Sequence, residues 1–504
     1  MSEEILELTK DENEIHESAR ERISSDIERY LKEHENKELL RFITCGSVDD
    51  GKSTLIGRLL YDSKTVLEDQ LSAVKKETKK FGTTGEEIDF ALLIDGLQSE
   101  REQGITIDVA YRFFATDKRK YIIADTPGHE QYTRNMVTGA STANLAIILV
   151  DARKGVLTQT RRHAYIASLL GIRHIVVAIN KMDIVDYSKE IFDTIVDDFG
   201  TMHKKLIGSL EDIFGENRVA QTTVDFIPLS ALKGDNVVQR SENMEWYGGK
   251  PLLEFLDSVE IAKDINLTDF RFPVQYVNRP NLDFRGFCGT IASGSIKRGD
   301  EITVLPSGKK SRIKQIILPS ADTADKTPEA TEAFAPMAVT LRLEDEIDIS
   351  RGDMIVRSDD SLETSDTIEA MVVWMDDKPL QIGRDYEIKR ATTVLNAIFD
   401  SVSFKKDVNS WEEVKTQTLQ LNEIGKCTLT LTREIACDPY FQIKGTGSFI
   451  VVDKISNHTV AAGMIIDASR SEVETKRVYT DAEIELNAYI RKHYPEWRCE
   501  KIGN

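Results

Sequence analysis

The chain has 504 residues, 40% of them hydrophobic and 30% charged, which is ordinary for a soluble globular protein of several domains. Its formal net charge of −20 argues against nonspecific binding to nucleic-acid phosphates. No run approaches the ~18 apolar residues of a membrane-spanning helix, and the start, Met-Ser-Glu-Glu-Ile-Leu-Glu, lacks the basic and apolar regions of a signal peptide, so a cytoplasmic protein is expected.

Residues 1–37 read as an acidic helical arm. The first 40 residues carry 13 acids against 6 bases, with apolar Ile23, Ile27, Tyr30 and Leu31 at helical spacing. From 38 to 262, β-type apolar runs alternate with helical stretches, the pattern of a doubly wound, mostly parallel α/β sheet. Its first strand (Phe42 to Cys45) leads into Gly46-Ser47-Val48-Asp49-Asp50-Gly51-Lys52-Ser53-Thr54 and then a helix. That strand–loop–helix context makes the run a phosphate-binding P-loop. Its glycines permit close backbone approach, and the N–H groups at the helix start cradle phosphates. Lys52 would reach the β- and γ-phosphates, and Ser53 would offer its hydroxyl to Mg²⁺.

Further along, Thr106 follows Arg101-Glu102-Gln103-Gly104-Ile105 and is the candidate second hydroxyl for Mg²⁺ and sensor of the γ-phosphate. Asp125-Thr126-Pro127-Gly128-His129 comes after the apolar run Tyr121 to Ala124. Asp125 would hold Mg²⁺ through water, the Gly128 N–H would touch the γ-phosphate, and His129 would orient the attacking water. Asn180-Lys181-Met182-Asp183 follows the strand Ile175 to Ile179, at the end where open α/β sheets bind ligands. A carboxylate there can accept from guanine N1–H and the exocyclic amine, a pair adenine lacks, so Asp183 is the guanine reader. Asn180 would brace the loop and the Lys181 stem would cover the ring. Ser230-Ala231-Leu232 follows the strand Val224 to Pro228, with the Ala231 N–H placed for guanine O6. GTP with Mg²⁺ is the ligand these residues imply.

A helix over Leu252 to Val259 closes this unit, and a linker follows. Short β-rich segments with turn signals then suggest one barrel over 268–362 and a second over 366–470. An amphipathic tail occupies 471–504. Trp374, Asp376 and Asp377 read as core and turn. The cysteines at 45, 288, 427, 437 and 499 show no C-x-x-C or metal spacing and read as reduced, structural thiols.

The series resembles the translational GTPases, in which a GTP-binding domain precedes two β-barrels, as in elongation factor Tu. Those usually carry His where Ser47 stands. Here Gly46-Ser47-Val48-Asp49-Asp50, Leu60-Tyr61-Asp62-Ser63-Lys64, Ile94-Asp95-Gly96-Leu97-Gln98-Ser99-Glu100-Arg101, Glu369 to Asp376 and Thr446 to Ile450 are similar to the large subunits of bacterial sulfate adenylyltransferase. That resemblance implies GTP hydrolysis coupled to adenylyl transfer from ATP to sulfate. The adenylyl-transfer site would lie on a separate small catalytic subunit, since no Ser-Gly-Gly-x-Asp-Ser loop or His-x-Gly-His pair is present. No second Gly-Lys-Ser/Thr follows the barrels, so no fused kinase is expected. The rival reading is a translation factor that binds tRNA or a partner factor through the same motifs.

Overall fold

The computed structural model describes residues 37–63, 90, 108–127, 132–215, 219, 222–261, 266–281, 283–319, 329–360, 362, 364–407, 409–468 and 481–494. The N-terminal arm before Lys37, and the expected site residues Thr106, Gly128 and His129, lie outside the described residues.

Six strands form the first sheet: β1 (Glu38–Cys45), β2 (Ala110–Ala115), β3 (Arg119–Asp125), β4 (Leu145–Asp151), β5 (His174–Asn180) and β6 (Thr223–Pro228). Their spatial order is β2-β3-β1-β4-β5-β6, and all pairings are parallel except that of the edge strand β2. All seven residues of β4 are buried, as expected for a strand covered on both faces. Helices α1 (Lys52–Asp62) and α5 (Leu252–Ser258) cover one face; α2 (Thr133–Ala140), α3 (Thr158–Leu169) and α4 (Lys189–Phe214) pack on the other. The register sets Thr44 beside Asp125 and Asp151 beside Asn180. The C-terminal ends of the parallel strands therefore gather the loops that carry the motifs.

The middle β unit closes into a barrel, because the consecutive stretches Phe272–Pro273 and Tyr276–Asn281 bond to Met354–Arg357 on one side and to Phe284–Thr290 on the other, with Gln275 N–H donating to Cys288 O at 2.9 Å between them. It runs in the order Phe272–Pro273, Met354–Arg357, Glu301–Leu305, Lys309–Ile317, Ala338–Leu343, Phe284–Thr290 and Tyr276–Asn281. The last unit is a closed six-strand barrel: Asp385–Arg390 pairs with Ser448–Val452, and the circuit through Thr459–Asp467, Thr364–Trp374, Ile424–Ala436 and Thr393–Lys406 returns to it. Trp374 fills its core against the edges of Tyr386 and Phe399 and donates its indole N–H to Lys378 O at 2.8 Å. The core-and-turn reading of Trp374 holds.

The barrel does not hang free of the first unit. Met371, Val373, Tyr440, Phe441 and Met464 belong to the same apolar cluster as α3 and α4. Tyr440 Oη donates to Leu170 O at 2.9 Å, and Phe441 meets Phe214 edge to face at 4.6 Å. Lys444 Nζ bonds to Gly171 O. Gly171 has φ +64°, which glycine adopts without strain, and a Cβ there would stand 2.9 Å from Lys444 Cε and crowd this contact. Within the tail the described residues form a helix, Asp481–His493.

Candidate guanine-nucleotide site

The P-loop is folded by its own side chains. Asp50 turns back under the loop, where its Oδ2 accepts from the Ser47 N–H at 2.7 Å. Burial pushes this carboxyl up to about 6. Lys52 lies beneath the loop and donates to Gly46 O (3.0 Å) and Ser47 O (3.2 Å). Burial lowers its ammonium, while the Asp125 and Asp50 carboxylates oppose that shift. Gly51 forms the N-cap of α1 with φ +91°. Cys45 is fully buried behind the loop, and its thiol is pushed up to about 12, which agrees with a structural role.

Asn180 joins the P-loop to the guanine loops. Its Nδ2 donates to Asp50 O at 2.7 Å, and its Oδ1 accepts from Lys181 N at 2.8 Å and Ala231 N at 2.9 Å. The bracing role read for Asn180 is thus visible. The Ala231 N–H, expected at guanine O6, is directed at Asn180 instead. Met182 is buried and donates its N–H to Leu229 O, which fixes β5 to the loop after β6. Asp183 is half-buried at the start of a 3-10 turn and makes no hydrogen bond to protein among the described residues. A carboxylate left with open acceptor positions suits a base reader. Ser230 Oγ accepts from the Lys233 N–H, and Leu232 O accepts from Arg58, so both hold the loop rather than face outward.

For the cation, Ser53 stands in the first turn of α1 and Asp125 ends β3, buried, with Oδ1 accepting from Thr44 Oγ1 at 3.2 Å. Thr126 Oγ1 donates to Thr44 O at 2.8 Å, holding the strand ends together. A hydroxyl and a carboxylate are the oxygen donors that Mg²⁺ takes. Val48, Asp49 and Pro127 lie in the same loops, and Thr54 stands in the first turn of α1.

One cluster was not singled out from the sequence. Asp151, at the end of β4, takes three bonds from Arg153: from N (3.0 Å), Nε (2.9 Å) and Nη2 (2.6 Å). Lys181 Nζ lies 3.0 Å from Oδ2, the oxygen that Arg153 Nη2 also bonds. Burial acts to raise this carboxyl, but the bonds from Arg153 and Lys181 outweigh it and hold it below the usual range. A carboxylate closing an otherwise apolar parallel strand was the available signal.

The family model of the elongation factor Tu GTP binding domain matches residues 37–262, and that of the GTP-eEF1A C-terminal domain-like family matches 367–466. Sulfate adenylyltransferase subunit 1 of Sulfurovum sp. is 58% identical over 487 residues, covering 95% of this chain and 99% of that protein. The protein of the same name from Aliarcobacter butzleri is 58% identical over 481 residues, covering 95% and 98%. That of Cellvibrio japonicus is 56% identical over 477 residues, covering 95% and 97%. Identity above one half across nearly the full length of both partners shows that this chain belongs to the sulfate adenylyltransferase subunit 1 family.

Proposed function

We propose that the chain is the GTP-hydrolysing subunit of an ATP sulfurylase. It would couple hydrolysis of GTP to GDP and phosphate with adenylyl transfer from ATP to sulfate, which yields adenosine 5′-phosphosulfate and pyrophosphate. The observation that carries the nucleotide half is the bridge from Asn180 to Asp50 O, which sets the guanine loop against the P-loop. The sulfate half rests on the family.

In this reading, residues 38–262 bind GTP, 268–362 and 366–470 relay the nucleotide state, and a small catalytic subunit carries adenylyl transfer in a cytoplasmic heterodimer. Among the described residues no helix is long and apolar enough to cross a membrane. Asp183 reads the base, while Lys52 offsets charge developing on the transferring phosphoryl group. Ser53, Asp125 and Thr106 would hold Mg²⁺, which supplies further charge neutralisation, and His129 would orient water. The partner can be driven only as far as its affinities for the two nucleotide states differ.

The test is sulfate-dependent pyrophosphate release from ATP by the co-purified complex, with and without GTP. Release that needs the partner and rises with GTP supports the proposal. GTP turnover with no sulfate-dependent release sinks the sulfate half and leaves the nucleotide half standing.

A further inference from the structure

We propose that Asp151 is a positioning residue of the guanine-nucleotide site, acting on bound nucleotide through Lys181. The inference rests on the GTP-binding reading above.

The geometry runs along a short path. Asp151 ends β4 directly beside Asn180 in the parallel register, and the Ala152 N–H donates to Asn180 O at 2.9 Å. The chain then reaches Lys181 in the left-handed region, with φ +65°. A non-glycine residue stays there only when its surroundings hold it. Two contacts do so from the side-chain end: Lys181 Nζ donates to Asp49 O in the P-loop and pairs with Asp151 Oδ2 at 3.0 Å. The Asp151 side chain is fully buried, and Arg153 grips it side-on, Nε bonding to Oδ1 and Nη2 to Oδ2. Arg153 itself is 44% exposed at the mouth of the site. It therefore serves as a lid on the carboxylate, fixing which way the oxygens point. With the ammonium fixed at both Asp49 O and Asp151, the aliphatic stem of Lys181 has one orientation in which to cover a base.

Charge alone predicts the opposite sign from positioning. Removing a carboxylate near a polyphosphate lessens repulsion and, by Coulomb's law, tightens binding. Removing the group that orients Lys181 loosens it. The sign of the effect separates the two.

The experiment measures release of a fluorescent GDP analogue and steady-state GTP hydrolysis on the full chain. Asp151→Asn is nearly isosteric. It is expected to speed release about 10- to 100-fold and to raise KM for GTP by a similar factor, with kcat within about twofold. In the Asp151→Asn/Lys181→Met double variant, release should be no faster than in Lys181→Met alone, since one path is cut twice. Arg153→Ala changes a surface side chain that cannot unfold the core, and should speed release about three- to tenfold. Slower or unchanged release in Asp151→Asn overturns the proposal, as do additive effects in the double variant. If Asp151→Asn fails to fold, unchanged release in Arg153→Ala overturns it. A wild-type chain that holds no GDP analogue would instead sink the GTP-binding reading itself, and this inference with it.

Discussion

Arg271 and Asp438 meet across the boundary of the two β-rich units, Nη2 to Oδ1 at 2.8 Å, with both side chains buried. The same carboxylate accepts Thr446 Oγ1 at 2.6 Å, and Arg271 also bonds to Asp360 and to Phe270 O. The pair is fully satisfied, so it specifies one angle between the last barrel and the unit before it.

Taking away one member strands the other charge. Arg271→Met should cost about 3–5 kcal/mol, because Asp438 would remain buried without its cation. Arg271→Met combined with Asp438→Leu should recover much of that loss. Urea unfolding of the three proteins checks this; a double variant as unstable as the single would show that the pair matters for more than charge compensation.

Gly51→Ala should damage the nucleotide site. A Cβ at Gly51 would lie 2.5 Å from Asn180 Nδ2, and the φ of +91° disfavours any other residue. Either the P-loop or the Asn180 bridge must shift. A drop in GDP affinity of more than about tenfold is expected, since a lost charge-free hydrogen bond and backbone strain together reach a few kcal/mol. Fluorescence titration decides it, and affinity within twofold of wild type would speak against the bridge.

Asp183→Asn should shift preference from guanine toward xanthine nucleotides, because the xanthine 2-oxygen accepts where guanine donates. Competition between the two diphosphates reads the ratio directly. Retained guanine preference would remove Asp183 from the role of base reader.

Acid should weaken the fold through His163. This histidine is buried on α3, its Nδ1 has no hydrogen-bond partner among the described residues, and burial pushes its imidazole down to about 3. Unfolded, it protonates near ~6.5. The folded chain thus stays neutral at this site while the unfolded chain gains a proton, and stability falls as pH drops from about 6.5 toward 3. Between pH ~7.5 and ~5.5 this one group should remove about 1.4 kcal/mol. Denaturant unfolding at the two pH values should show that loss in wild type and not in His163→Gln; equal losses would assign the acid sensitivity elsewhere.

Much of the first unit was legible because its signals are local. The P-loop and Asn180 to Asp183 each sit at the end of an apolar run, and strand ends of a parallel sheet converge by topology. Ala231 was harder: its place after a strand put its N–H at guanine O6, whereas the fold directs it at Asn180 Oδ1. Asp151 and Arg153 carry no motif, and their role depends on a neighbour 30 residues away reaching back across the sheet. The ties between units, Arg271 to Asp438 and Tyr440 to Leu170, join positions 167 and 270 residues apart, which no spacing rule connects.

The stretch from Asp151 to Gly171 has a mechanical consequence. At its start Asp151 holds Lys181 beside the nucleotide loops, and at its end the Leu170 and Gly171 carbonyls are grasped by Tyr440 and Lys444 of the barrel. Between them lies α3, a 12-residue rod about 18 Å long. A stiff rod transmits displacement without needing to bend. The fold thus sets one rigid helix between the loop that follows Asp151 and the carbonyls held by the barrel, so a displacement of that loop would be carried to the barrel contact.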